Sequence, residues 1–199
     1  MINAENLEAL DGISFVTDPS GTITAVGTTN WNAFASANDA LELLDQSVVG
    51  QHLFKFISGQ EVQAFLEKVM KRIAAGVHSR WAMEFRCDAP TCRWTMRQSI
   101  TPVRMSGACV SLLFQSVELQ SEQRPAIDLF DFRALTRIAD QDPTLPAIAM
   151  CSWCQRVRHE LSSGTEWVEA EDYYAAGGRS RVRISHSICD DCFKSVGGS

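Results

Sequence analysis

Four cysteines in two Cys-x-x-Cys pairs constrain this chain more than any other feature. Cys151 pairs with Cys154 and Cys189 with Cys192, with 34 residues between the two turns. Each turn brings two thiolates within reach of one ion, and two turns complete a tetrahedral shell. A tail of about 45 residues buries little core by itself, so a bound metal supplies what its core lacks. The pattern predicts a four-thiolate site for zinc, with iron as the other metal these ligands accept. A redox pair is the competing reading, but redox Cys-x-x-Cys motifs come singly in a thioredoxin-like context. Gln155 and Phe193 follow the two motifs, where covalent haem attachment needs histidine. His186, three residues before Cys189, is an alternative ligand, a supporting hydrogen-bond donor or a side chain that simply packs.

The compartment argument points the same way. The start of the chain, Met1 to Asn6, has no basic segment followed by an apolar one, and no apolar run approaches the roughly 20 residues of a membrane span. A cytoplasmic location is therefore expected, where seven cysteines are reduced and paired motifs hold metal instead of forming a disulfide framework. The net charge of −6 opposes broad phosphate binding. Residues 151–192 hold five arginines, no lysine and seven acidic side chains, a balance of −2 before any thiolate is counted. That balance favours a protein-facing surface over nucleic acid.

Upstream, the pattern is one of strands around a helical insertion. Residues 13–17 and 22–26 alternate about Asp18-Pro19-Ser20-Gly21, which reads as a hairpin turn. Residues 28–57 suit short helices. Val62, Phe65, Leu66, Val69, Met70 and Ile73 give a helix over 59–75, with Ser58 and Glu61 at capping-box spacing. Strands are expected at 80–87, 92–101 and 108–117. A polar connector follows at 121–125, then a helix over 128–140 with Asp128 as N-cap and a stripe of Leu129, Phe132, Leu135 and Ile138. The gap between the cysteine turns has room for a small helix or hairpin. These segments divide the chain into residues 1–118, a connector at 119–147, and a metal module at 148–199.

The order of elements resembles a PAS domain over about 12–118. The resemblance rests on the Gly21 hairpin, Asn30-Trp31-x-x-Phe34-Ala35, Val49-Gly50-x-x-Leu53-Phe54-x-Phe56-Ile57, and the meander after the long helix. It implies an α+β fold, a five-stranded antiparallel sheet with helices on one side. Cys151-Ser-Trp153-Cys154 and Ser185-His186-Ser-Ile-Cys189-Asp-Asp-Cys192 resemble a cysteine-paired module at the C-termini of bacterial PAS-containing and two-component signalling proteins. PAS domains take varied ligands, so haem, flavin, a small organic ligand or none are all open. His52 and His78 are the candidate haem axial ligands. The light-sensing flavin motif is absent. PAS domains often pair through an N-terminal helix, so Ile2, Leu7 and Leu10 suggest a homodimer.

No phosphate loop, kinase or receiver signature, or nucleophile–base spacing is present, so no enzyme is expected. The expected function is that of a bacterial sensor relaying the state of a small ligand or cofactor to a protein partner through the metal-stabilised tail. The alternatives are a transcription-linked nucleic-acid binder and a thiol-based redox sensor.

Overall fold

The computed structural model describes residues 2–38, 40–161 and 164–197. The chain packs as two compact units, Met1–Met83 with Arg97–Glu118, and Glu84–Met96 with Leu119–Ser199. Strands β3 (Trp81–Arg86), β4 (Cys92–Met105) and β5 (Ala108–Gln123) contribute residues to both.

A short helix, α1 (Ala4–Glu8), opens the first unit, capped by reciprocal Asn3 and Asn6 hydrogen bonds. Leu7, the middle of the expected apolar stripe, is buried within its own chain, and its carbonyl accepts from the Ser14 hydroxyl at 3.2 Å. Then come β1 (Ile13–Thr17) and β2 (Ile23–Val26), joined through Gly21 at φ 103°. Three helices follow, α2 (Thr28–Ala37), α3 (Asp45–Val48) and α4 (Gln60–Ala74), before the β3–β5 meander. The antiparallel sheet has strand order β2-β1-β5-β4-β3, with Phe15 opposite both Val26 and Phe114. This is the PAS-like arrangement that the sequence implied.

Its interior is filled by side chains. Phe15 stacks on Phe114 with ring centroids 4.6 Å apart and meets Trp31 edge-on at 5.7 Å. Val62, Leu66, Val69, Met70 and Ile73 turn one face of α4 inward. The expected Ser58–Glu61 capping box does not start this helix. Its N-cap is Gly59 at φ 92°, which puts Ser58 one residue too early. Entry is tied instead by the Gln63 amide, which donates to the carbonyls of Phe54 and Ile57 at 3.1 and 2.6 Å.

The second unit has a core of its own. Strand β5 runs on to Gln123, through residues that read as a polar connector, because ladder bonds use the backbone and tolerate exposed polar side chains. Asp128 begins a 3-10 turn, and Asp131 caps α5 (Phe132–Gln141) by accepting from the Ala134 amide at 2.9 Å. Leu129 therefore leaves the helical stripe and becomes a fully buried core residue. Beyond α5 lie β6 (Ala147–Cys151), β7 (Val157–Leu161), β8 (Gly164–Val168), α6 (Ala170–Ala175), β9 (Arg183–Ser187) and α7 (Asp190–Gly197). The gap between the cysteine turns thus holds both a hairpin and a helix.

The sheet order is β8-β7-β6-β9. β7 and β8 form an antiparallel hairpin, whereas β6 and β9 run parallel, from Ala147 with Arg183 to Cys151 with Ser187. Leu129, Phe130, Met150, Val157, Tyr173 and Val182 are among the residues buried together, and Phe132 packs on them. Gly178 lies so close to the Tyr173 ring that a Cβ there would overlap it. Gly178→Ala should therefore cost the second unit about 1–3 kcal/mol by overpacking. Denaturant unfolding followed by amide exchange in residues 148–192 measures this.

Candidate metal centre

Parallel pairing of β6 and β9 puts the C-terminal ends of both strands at one edge, and each end carries a cysteine turn. Cys151 is the last residue of β6. The chain reverses through Ser152-Trp153-Cys154 and Gln155, whose φ of 57° is left-handed, and returns as β7. The Cys151 amide donates to the Arg156 carbonyl at 2.8 Å, and the Gln155 amide donates to the Cys151 carbonyl at 2.9 Å. The Ser152 amide bonds the Ser187 carbonyl at 2.9 Å, locking the first turn to the end of β9. Cys189 and Cys192 flank the start of α7, where the Phe193 amide donates to the Cys189 carbonyl at 2.8 Å.

The four sulfurs lie within 4.8 Å of one another, and Cys154 Sγ is 3.7 Å from Cys189 Sγ. Four thiolates at metal–sulfur distances of about 2.3 Å stand about 3.8 Å apart around a tetrahedral ion. A disulfide needs about 2.05 Å, and all seven cysteines are free thiols. Backbone amides also point at sulfur. Cys189 N–H donates to Cys151 Sγ and Cys192 N–H to Cys189 Sγ, both at 3.4 Å. Such bonds favour thiolate over thiol. The donor set fits a metal ion.

Protonation tells the same story. The hydrogen bond from Cys154 holds the Cys151 thiol down at about 4. Burial, then the charge at Cys151, pushes Cys192 up to about 12. The hydrogen bond to Cys151 and burial raise Cys154 as well. Thiolates packed this closely repel one another, and a metal ion held among them would supply the positive charge that offsets this repulsion.

His186 stands outside the four-sulfur group. It lies opposite Met150 on β9, its ring centroid is 6.1 Å from that of Phe132, and burial lowers its pKa. His52 is exposed. Its Nε2 is 2.9 Å from the Ser20 carbonyl and its Nδ1 accepts from the Phe54 amide, so the ring pins the Gly21 turn to the 3-10 turn at Leu53–Lys55. His78 Nε2 accepts from Arg72 Nε at 2.9 Å.

Sequence reasoning missed the charged collar beside the cysteines. The Arg86 amide donates to the Trp153 carbonyl at 2.6 Å, and the Asp88 amide to Gln155 Oε1 at 2.8 Å. The Arg86 guanidinium bridges Asp88 and Glu169, the latter at 2.5 Å. Asp88, its side chain fully enclosed, is also paired with Arg124 at 3.0 Å, and the Arg124 guanidinium lies 4.4 Å above the Phe130 ring. Arg156 joins Glu169 at 3.2 Å to Asp191, between Cys189 and Cys192, at 3.3 Å. Burial alone would raise the Glu169 pKa, but the hydrogen bond and charge of Arg86, reinforced by Arg156 and Arg93, hold it below the usual carboxylate range. The partners lie up to 83 residues apart in sequence, so no local pattern announces them.

No family model matches the chain, and no curated protein does. Solved structures do. The chain is similar to PAS domains. The PAS domain of Bordetella pertussis BvgS shares 12% identity over 70% of this chain and 93% of its own, with a TM-score of 0.44. A Colwellia psychrerythraea PAS domain shares 13% over 58% of this chain and 92% of its own, at 0.41. A C-terminal domain from Streptococcus mutans shares 14% over 59% of this chain and 82% of its own, at 0.44. Likenesses this distant carry no argument about function, which rests on the chain's own residues.

Elemental analysis of protein purified without chelator should find about one metal ion per chain, lost in Cys151→Ser or Cys189→Ser. Metal should leave as pH falls, because protons compete for the thiolates. Acid weakens the collar in the same direction. The Glu169 pKa is depressed in the fold, so its stabilisation is complete above the ordinary value of 4.5 and is lost as pH drops through the folded value. Asp88→Ala should cost about 3 kcal/mol, since it removes the enclosed carboxylate that Arg86 and Arg124 share and leaves each with only its second acidic partner. Thermal unfolding of the metal-loaded protein at pH 7 checks this.

Proposed function

We propose that this chain is a non-catalytic bacterial signalling protein of the cytoplasm. Its PAS-like domain responds to a small ligand or cofactor state, and a zinc-stabilised tail passes the response to a protein partner. Zinc is the metal of this reading because four thiolates in a closed tetrahedral set make a structural site with no open position for chemistry. The observation that carries the reading is the bonding of the β3–β4 hairpin to the first cysteine turn. Arg86 and Asp88 are held by Trp153, Gln155 and Glu169, and the same two strands continue along the chain into the PAS-like sheet.

A sensor without an enzymatic output acts by shifting a population of surface states, and it needs an element biased by both ends. The hairpin is that element here. The polar collar also commits Arg86, Arg93, Arg124 and Arg156 to carboxylates. These arginines are thereby occupied inside the protein, which supports a protein partner over nucleic acid.

The test is amide hydrogen exchange of the full chain before and after chelation. Loss of metal should raise exchange in residues 84–96 as well as in 151–192. Glu169→Gln should raise exchange in 84–96 with metal still bound. Unchanged protection of 84–96 while 151–192 opens would mean that the tail is a separate module, and the relay would be abandoned.

A further inference from the structure

The second unit holds a cleft of about 750 Å³ that has no part in the metal centre. Its size falls within the roughly 300–1,000 Å³ of small-molecule sites. It arises from how the sheet is held. Among the described residues β6 and β7 share one register pair, Met150 with Val157, next to the cysteine turn. β6 is held along its length by β9, and β7 along its length by β8. The two middle strands therefore diverge. Consecutive residues of both, Ala147–Ala149 and Arg158–Glu160, line the space between them.

The rim is fixed before any ligand arrives. Tyr173 closes one side, and its hydroxyl accepts from the Arg179 amide at 2.9 Å and donates to the Arg179 carbonyl at 3.1 Å. Gly178 is pressed against the same ring. A preset wall lowers the ordering cost of binding.

Charge decides the class of ligand. Arg158 and Arg179 line the cleft against a single acidic residue, Glu160. Arg86, Arg93, Arg124 and Arg156 in the same unit are all paired with carboxylates. Among the described residues, neither Arg158 nor Arg179 has a carboxylate within ion-pair distance. A guanidinium offers a planar fork of donors that fits a carboxylate or phosphate two bonds at a time. We propose that this cleft binds a small organic anion, a carboxylate or a phosphate ester, through Arg158 and Arg179. The inference goes beyond the relay proposed above, because it places a ligand on the tail and does not depend on what the PAS-like domain binds.

Isothermal titration of the metal-loaded full chain with glycerol 3-phosphate and with succinate tests it. At least one should bind saturably, and which one binds separates phosphate ester from carboxylate. Arg158→Gln and Arg179→Gln should each weaken binding about tenfold, and the double variant should abolish it. Arg137→Gln, on the exposed face of α5, should bind like the wild type. Equal metal content and thermal midpoint across the variants show that the fold is intact. Phenylglyoxal labelling gives a second readout, because bound anion should protect Arg158 and Arg179. No saturable binding of either probe at about 10 mM overturns the proposal. So does binding that the double variant retains.

Discussion

The parallel pairing of β6 with β9 is the interaction on which the second half of this protein depends. Two strands that run the same way end at the same edge, and each strand here runs out into a Cys-x-x-Cys turn. Antiparallel pairing would have sent the two turns to opposite ends of the sheet. A parallel pair needs a crossover connection. The β7–β8 hairpin and α6 supply it, and Val157, Ala170 and Tyr173 from that crossover fill the core beneath. A metal ion held by the four cysteines would bond two strand ends that hydrogen bonds bring together, which would couple metal affinity to folding.

Around that edge the protein has placed charges that only make sense as a set. Asp88 is enclosed and would be costly if left alone, but it sits between Arg86 and Arg124. Glu169 serves Arg86 on one side and Arg156 on the other, and Arg156 reaches Asp191 between the second pair of cysteines. Buried ion pairs contribute little net stability compared with apolar packing, and losing one partner is expensive. The collar therefore fixes geometry more than it adds stability. It ties the tip of the β3–β4 hairpin to the first cysteine turn in one arrangement. The same strand divergence that leaves β6 and β7 open away from the cysteine edge produces the cleft of about 750 Å³.

Periodicity made the PAS-like half legible. The face of α4 was written in residues three and four apart, and the turn at Gly21 in residues that only a hairpin needs. The errors fell where the backbone, not the side chains, decides. Gly59 took the cap that Ser58 was suited to, because its positive φ sets the entry angle. β5 continued through polar residues because strand pairing satisfies amides without regard to side-chain character. Leu129 and Phe132 share a helical spacing, but Leu129 lies in a 3-10 turn that ends before the helix begins, and Asp131 caps the helix in place of Asp128.

By itself the sequence determined the donor set: four cysteines in two turns whose local geometry is fixed by their spacing. It also determined the alternating and helical segments that close the PAS-like sheet, since both follow from contacts between near neighbours. Only the tertiary structure decided which strands pair in parallel, and hence that the two turns meet. It alone decided that Arg86 and Asp88 serve Gln155, Trp153 and Glu169, and that Arg158 and Arg179 are brought to the lining of one cleft. Those outcomes depend on groups tens of residues apart, whose pairing is chosen by burial and charge over the whole unit and leaves no periodic trace in the chain.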